Sequence, residues 1–360
     1  MKIESINEDW GTVKQRWEAW WEQQLHDRVL ICVTAPRDGA VQPPQEEVAV
    51  ETHWTDSDYA IRTTLATVQR TYYGGDALPV FMHGWSVGHS LCFGCTPHFA
   101  RDTVWVDPAP TGDDGFPSLE GWRQSPWWDW MRRSTLSAAR ASRGRYFVPP
   151  MWGNQAGDTL AMVRGSQELL MDIALNPDWV RSAIQRMSDI LLEIFEELWT
   201  LVSPDLVGLP GSVNYVNTWS SGRTMGLDCD MSCMISPQTF ADLFLPALVE
   251  HMRTLDRRIY HLDGPGAIQH LDLLLELPEL EAIQWVPGAG HEGVLQWVPL
   301  IRRIQAKGKS IVVYARPGEI EPLLREVEPE GLCVSTSCRS EAEARQLVER
   351  ASRMSQERIR

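Results

Sequence analysis

The sequence lacks the features that mark several large classes of protein. It has no run of basic residues, and its formal net charge of −15 would repel nucleic acid and an anionic membrane surface. No apolar run reaches the roughly 18 residues that a membrane-spanning helix needs. A Gly-rich phosphate loop is absent, and Gly264-Pro265-Gly266 is only a weak signal for an anion site. We therefore expect neither nucleic acid nor a membrane as a partner.

A disulfide framework is not indicated either. The seven cysteines are an odd number in a chain of 360 residues, a usage that is typical of reduced thiols in a cytosol. The first ten residues contain no apolar core of a signal peptide. Together these observations predict a cytoplasmic protein.

Tryptophan, in contrast, is abundant, with 17 residues in the chain. Much of it must pack in the core or between helices. Some of it is available to line a pocket, because indole offers a large flat face and one hydrogen-bond donor.

The second half of the chain has a regular pattern. Strand-like runs at 258–261, 282–286, 310–314 and 332–336 are separated by helical patterns, such as those at 294–305 and 320–327. This alternation predicts parallel strands joined by helical crossovers. Its regularity favours a TIM-like (β/α)8 barrel over an open sheet, which periodicity alone does not exclude. We predict one domain over residues 1–360, with 1–75 as an N-terminal helical extension that packs on the barrel.

The first half is less regular. Helices are predicted at 7–25 and 125–142, and two more begin at Asn176-Pro177 and Ser236-Pro237, each with a capping residue before a proline. Strands are predicted at 29–34, 78–82 and 146–148.

In a parallel barrel the functional residues lie at the carboxyl ends of the strands. His261 and Asp263 follow one predicted strand and, two residues apart, point to the same side. Cys338 ends a different strand. Imidazole, carboxylate and thiolate are ligands that a catalytic zinc accepts. The alternative is that His261 and Asp263 bond to loop backbone and that Cys338 is a small buried apolar residue.

Other side chains at the same edge are candidates for contact with a substrate. Asp228 and Asp230 precede a helix, where acids are often caps, although they could instead orient a substrate or a proton. We assign both as the candidate catalytic residues. Gln284 and Trp285 end the next strand. We expect these two, with Trp85 and Trp152, to bind substrate.

A second group of potential ligands, His89, Cys92, Cys95 and His98, occurs at three-residue intervals. The spacing differs from that of common zinc sites, in which the histidine pair lies a dozen or so residues beyond the cysteine pair. We therefore favour a packing role.

Four segments resemble the uroporphyrinogen decarboxylase superfamily, and especially its corrinoid-dependent zinc methyltransferase branch. They are 164–172 (RGSQELLMD), 234–237 (MISP) with Phe240, 261–266 (HLDGPG) and 334–338 (VSTSC). The resemblance extends from about residue 145 to the end of the chain. It implies a barrel, a zinc ion held by His261 and Cys338, and a corrinoid carried on a partner protein.

The chain departs from that branch at Asp263, which stands where the branch has a cysteine. A carboxylate makes the metal site harder, and thiol methylation becomes less favoured. The decarboxylase branch fits less well, because its arginine-rich run corresponds here to residues 82–86 (MHGWS). Buried carboxylates of a porphyrinogen would need such cations.

These observations predict a metal-dependent methyltransferase that moves a methyl group between a corrinoid and a small nucleophile. Two alternatives remain. One is a metal-free decarboxylase or lyase that acts on a small acid through Asp230 or Asp263. The other is a non-catalytic barrel that binds a corrinoid or another small molecule.

Overall fold

A computed structural model describes residues 9–40, 47–82, 86–150 and 153–359 of the chain. The strands are β1 Leu30–Pro36, β2 Thr71–Gly75, β3 Thr96–Phe99, β4 Val104–Asp107, β5 Ser212–Val213, β6 Trp219–Ser220, β7 Thr224–Leu227, β8 Arg257–Asp263, β9 Ala282–Val286, β10 Ser310–Tyr314 and β11 Leu332–Ser337. The helices are α1 Trp10–Trp21, α2 Val50–Thr55, α3 Ser57–Arg70, α4 Gly88–Leu91, α5 Pro126–Ser142, α6 Ala156–Arg164, α7 Ser166–Leu175, α8 Pro177–Leu201, α9 Pro204–Val207, α10 Pro237–Thr239, α11 Leu245–Arg253, α12 Gly264–Ala267, α13 Leu271–Leu275, α14 Val298–Ala306, α15 Pro317–Glu326 and α16 Glu341–Ile359.

Within the described ranges, seven strands form the main sheet, in the order β2-β1-β11-β10-β9-β8-β7. Six of them are parallel, and β2 is an antiparallel strand beside β1. The mixed α/β class is therefore confirmed. The parallel direction places the carboxyl ends of β7 to β11 at one edge, so that the segments after β8 and β11 lie at the same end of the sheet.

The sequence pattern located the later strands well. The predicted strands at 282–286 and 310–314 are β9 and β10, and β8 and β11 differ from the predictions by one or two residues at an end. The runs at 78–82 and 146–148 form no strand and meet in a single parallel bridge between Val80 and Phe147. Pro79 precedes Val80, and Pro149 lies two residues after Phe147; neither proline can donate a ladder hydrogen bond. The described residues thus show six parallel strands rather than eight, and closure into a barrel remains a prediction.

Residues assigned to an N-terminal extension contribute directly to the sheet. Helix α1 buries Trp17, Trp20 and Trp21, and the Trp21 indole N–H donates to the Trp219 carbonyl at 2.8 Å. The strand that follows, β1, pairs with β11 inside the main sheet. The proposed division of the chain at residue 75 stays a prediction.

The helix starts agree in part with the sequence. The Ser236 hydroxyl caps α10 by accepting from the Thr239 N–H. Asn176, predicted to cap α8, makes no capping bond with its side chain and instead donates to Asp172 at 2.9 Å. No helix among the described residues is long and apolar enough to cross a membrane.

Candidate metal-binding site at the carboxyl edge of the sheet

The register of β8 and β9 decides which side chains share a face. His261 is paired with Gln284, and Leu262 is paired with Trp285. Since neighbours in a strand alternate between faces, His261, Asp263 and Gln284 lie on one face, and Leu262 and Trp285 lie on the other. His261 and Asp263 are partly exposed, whereas Leu262 and Trp285 are buried.

Three potential metal ligands converge at this edge. One ligand atom each from Asp230, His261 and Asp263 lies within 4.8 Å of the other two. His261 and Asp263 come from the end of β8, and Asp230 begins the turn that follows β7. Within the ranges that the structure describes, no other group of three or more such side chains converges in this way.

The contacts of Gln284 indicate which tautomer of His261 suits the site. The Gln284 amide group donates through Nε2 to the Tyr314 hydroxyl at 2.8 Å, which leaves Gln284 Oε1 facing His261 Nδ1 at 2.6 Å. In this orientation of the amide its oxygen only accepts, so His261 Nδ1 is the donor in this contact. The lone pair of Nε2 is then free, as in histidines that bind metals while donating their other N–H to a carbonyl or carboxylate.

Two buried carboxyl groups support the turn that carries Asp230. Asp158 accepts from the backbone N–H groups of Asp230 and Met231 at 2.7 and 2.8 Å. Asp228 accepts from the Gln155 N–H at 2.8 Å and from the Tyr215 hydroxyl at 2.7 Å. Both carboxyl groups are therefore turned away from solvent. Asp158 holds the turn that carries Asp230, and Asp228 holds Gln155 and Tyr215.

The site is electrostatically negative, and three of its carboxyl groups have a raised pKa. Burial raises the pKa of Asp228 well above its ordinary value, and the charge of Asp158 adds to this effect. Burial also raises the pKa of Asp158. The pKa of Asp230 is raised to about 6 by burial and by the charge of Asp158, while His261 acts in the opposite direction. A bound cation would relieve this repulsion.

The structure corrects the predicted ligand set at Cys338. Its thiol is buried, and burial raises its pKa together with the charge of Glu343, which lies on α16. Within the described part of the chain, Cys338 is not in the group formed by Asp230, His261 and Asp263. The physical reason is alternation along β11, because the register that puts Ser335 on the site face turns Cys338 to the opposite face, toward α16.

The predicted substrate contacts divide in a similar way. Gln284 lies on the site face, where it contacts His261. Trp285 corrects the expectation, because it points to the opposite face and packs against Trp297 with ring centroids 4.8 Å apart. Trp85 and Trp152 lie outside the described residues.

The structure supports a packing role for the regularly spaced histidines and cysteines between residues 89 and 98. His89 is buried and contacts the Asn154 carbonyl through Nδ1 at 3.0 Å, and the Cys95 thiol donates to the Met162 carbonyl. His98 pairs instead with Asp107 at 2.7 Å. These residues form no ligand group in the described ranges.

Sequence reasoning missed three residues of the site, which are Asp158, Tyr215 and Tyr314. Asp158 lies inside α6, far from any strand end, and the loop that carries Tyr215 has no motif. Tyr314 ends β10, so its place at a strand terminus was a usable signal.

Comparison with known proteins shows the fold and little more. No family model matches the chain, and no curated protein matches it. Among solved structures, a methyltransferase from Methanosarcina mazei has a TM-score of 0.61 and 11% sequence identity, covering 95% of this chain and 98% of that one. The chain is thus similar in fold to a methyltransferase over nearly its whole length. The resemblance to the uroporphyrinogen decarboxylase superfamily stays a prediction.

Proposed function

We propose that the protein is a metal-dependent methyltransferase whose metal is held by Asp230, His261 and Asp263. The observation that carries the proposal is the convergence of these three ligand atoms, together with the Gln284 contact that frees His261 Nε2. Three protein ligands leave a coordination position for a nucleophile, as in catalytic zinc sites.

The donor set indicates which metals and nucleophiles suit the site. One imidazole and two carboxylates accept zinc, and they also accept harder divalent ions such as manganese. A site without thiolates is more electron-poor than the sulfur-rich zinc site that the family resemblance implies. Such a site favours its Lewis-acid role, in which the metal lowers the pKa of a bound hydroxyl or thiol.

The residues around the metal would have separate roles. Gln284 would hold the ring of His261 in place, and Asp158 would hold the turn that carries Asp230. Asp228 and Tyr215 would support the adjoining wall, because their mutual hydrogen bond fixes both groups.

The methyl-transfer reaction has less direct support than the metal site. Its support is the fold shared with a protein named as a methyltransferase, and the sequence resemblance. We retain zinc as the metal and a corrinoid on a partner protein as the second substrate. Methyl transfer is tested by following the absorbance of methylcobalamin when a thiol or an alcohol is added to the metal-loaded protein.

Metal content provides the decisive test. We expect near-stoichiometric zinc in wild-type protein purified without chelators, and its loss in His261→Ala and Asp263→Ala, measured by mass spectrometry. Cys338→Ser is the matched control and should keep its zinc, because Cys338 is outside the ligand group. Zinc absent from the wild type, or lost in Cys338→Ser alone, would contradict the proposal.

A metal-free decarboxylase or lyase is the second candidate. It is favoured by the proximity of Asp158, Asp228 and Asp230, where a proton could be held near a substrate. This candidate requires wild-type protein without bound metal. It also requires that Asp230→Asn lose turnover while keeping its melting temperature.

A further inference from the structure

Positive charge is missing from the segments that build the site. The stretches 146–163, 224–252 and 259–301 contain no lysine and no arginine. They carry Asp158, Asp228, Asp230 and Asp263. The wall formed by residues 156–163 of α6 and by the carboxyl ends of β7 to β9 is therefore acidic and contains no lysine or arginine. Arg164, the last residue of α6, pairs with Asp172 at 2.7 Å.

The arginines that follow β10, β11 and β1 interact with acidic residues on helices. Arg316, which follows β10, pairs with Glu319 of α15 at 2.9 Å. Arg339, which follows β11, pairs with Glu343 of α16 at 3.5 Å. The positive charge of Arg37, which follows β1, interacts with the carboxylate of Glu341 on the same helix. At the carboxyl ends of β8 to β11, none of the described site-face positions is a lysine or an arginine. Alternation also puts Arg257 on this face, but it lies at the amino end of β8 and pairs with Glu18, Glu22 and Glu281.

Uncharged hydrogen-bonding groups occupy the remainder of the face. The Tyr314 side chain is 47% exposed, and its hydroxyl accepts from Gln284. Tyr314 is paired in register with Ser335, which is partly exposed. Farther along β11, the Ser337 and Thr34 hydroxyls lie 2.8 Å apart. This face can bind hydroxyl or amide groups without placing a charge beside them.

We propose that the site takes an uncharged polar molecule bearing hydroxyl groups, and discriminates against carboxylates, sulfonates and phosphates. The inference rests on the proposed function, because it takes the metal as the reactive centre. A buried anion must be paired with a cation. Here the two carboxylate ligands already neutralise a dication, so the metal leaves little charge for an anionic group placed beyond it.

Two small thiols test this preference. 2-Mercaptoethanol and 2-mercaptoethanesulfonate share the metal-binding thiol and differ in a terminal hydroxyl or sulfonate. For the zinc-loaded full-length protein we expect 2-mercaptoethanol to bind about fivefold to tenfold tighter, the size of effect that one nearby unit charge gives at a protein surface. Isothermal titration calorimetry measures both dissociation constants.

A pair of charge-adding variants separates local from overall charge. Ser335→Lys places a cation on the site face and should at least halve the preference. Ser182→Lys adds the same charge on the exposed side of α8 and should leave it unchanged. Salt gives a further check, because a preference caused by the overall net charge of −15 would disappear at high ionic strength.

The outcomes are distinct from those of the metal test. Equal or tighter binding of the sulfonate by the wild type, loss of the preference at high salt, or equal effects of the two lysine variants would overturn the inference. If the protein holds no zinc, the proposed function fails. Thermal-shift titration of the metal-free protein with the same two compounds then still decides whether the face rejects anions.

Discussion

His261 and His89 show how the surroundings of one residue type decide its role. His261 is partly exposed and donates through Nδ1, which leaves Nε2 free beside two carboxylates. His89 is 4% exposed, and burial lowers its pKa to about 4. The first environment suits a metal ligand, whereas the second keeps an imidazole neutral in the core.

We expect His89 to make the protein sensitive to acid. Its pKa is lower in the folded protein than the ordinary value of 6.5, so the unfolded chain takes up the proton first as the pH falls. Stability is therefore complete above about pH 6.5 and is lost toward pH 4. At pH 5 the loss from His89 alone should be about 2 kcal/mol.

Urea denaturation at pH 7 and pH 5 measures this difference. His89→Gln cannot titrate, and its amide can still donate to the Asn154 carbonyl. The variant should lose less stability than the wild type between the two pH values. An identical loss in both proteins would show that other groups cause the acid sensitivity.

At the scale of elements, short local rules place the side chains of the site. Alternation along β8 puts His261 and Asp263 on one face, and the same rule turns Trp285 of β9 away. Between α10 and α11 the chain forms a π-helical turn at Phe240–Phe244. Pro246 follows this turn and has no N–H to donate to an α-helical ladder, which accounts for the irregularity.

The cap of α10 gives a prediction at this scale. The Ser236 hydroxyl accepts from the Thr239 N–H at 3.1 Å. Ser236→Ala should reduce the free energy of unfolding by about 1 kcal/mol, as is typical for loss of a capping side chain. Ser236→Asp keeps an acceptor and should retain most of the stability in urea denaturation. A loss of equal size in both variants would exclude a capping role.

For the whole molecule, a buried ionic group connects α1 to the first two strands. Asp76 is fully buried directly after β2, and it accepts from Arg16 at 3.2 Å, Arg28 at 2.6 Å and the Ile31 N–H at 3.0 Å. Residues from the beginning of the chain are thereby fixed to the sheet that carries the site. A buried group of this kind is costly to break, because the remaining charges lose their partner.

Asp76→Asn removes the charge and leaves two arginines beside a neutral amide. We expect it to lower the free energy of unfolding by about 3–5 kcal/mol, the usual cost of breaking a buried ion pair. Arg181→Ala, which breaks an exposed pair with Asp178, is the control and should cost about 0–1 kcal/mol. Similar losses in the two variants, measured by urea denaturation, would show that Asp76 contributes no more than a surface charge.

The sequence by itself determined the features that depend on local periodicity. Strand and helix patterns repeat over a few residues, so β9 and β10 were located to the residue, and the i, i+2 spacing placed His261 and Asp263 together. The class of the fold followed from the same alternation. The runs at 78–82 and 146–148 have strand composition, but their flanking prolines prevent a continuous ladder.

Tertiary structure alone decided which distant residues meet at the site. Asp230 and Cys338 both follow strands, and their local sequence does not say which one reaches His261. Strand order and register decide it. The strand before Asp230, β7, is next to β8, whereas the register of β11 turns Cys338 to the opposite face, toward α16. Asp158 lies on a helix and accepts hydrogen bonds from the backbone N–H groups of Asp230 and Met231. No sequence pattern predicts these bonds. Residues on adjacent parallel strands are close in space but are separated along the chain by a whole crossover connection. For this reason the fold, and not the local sequence, determined that Asp230 is the third ligand.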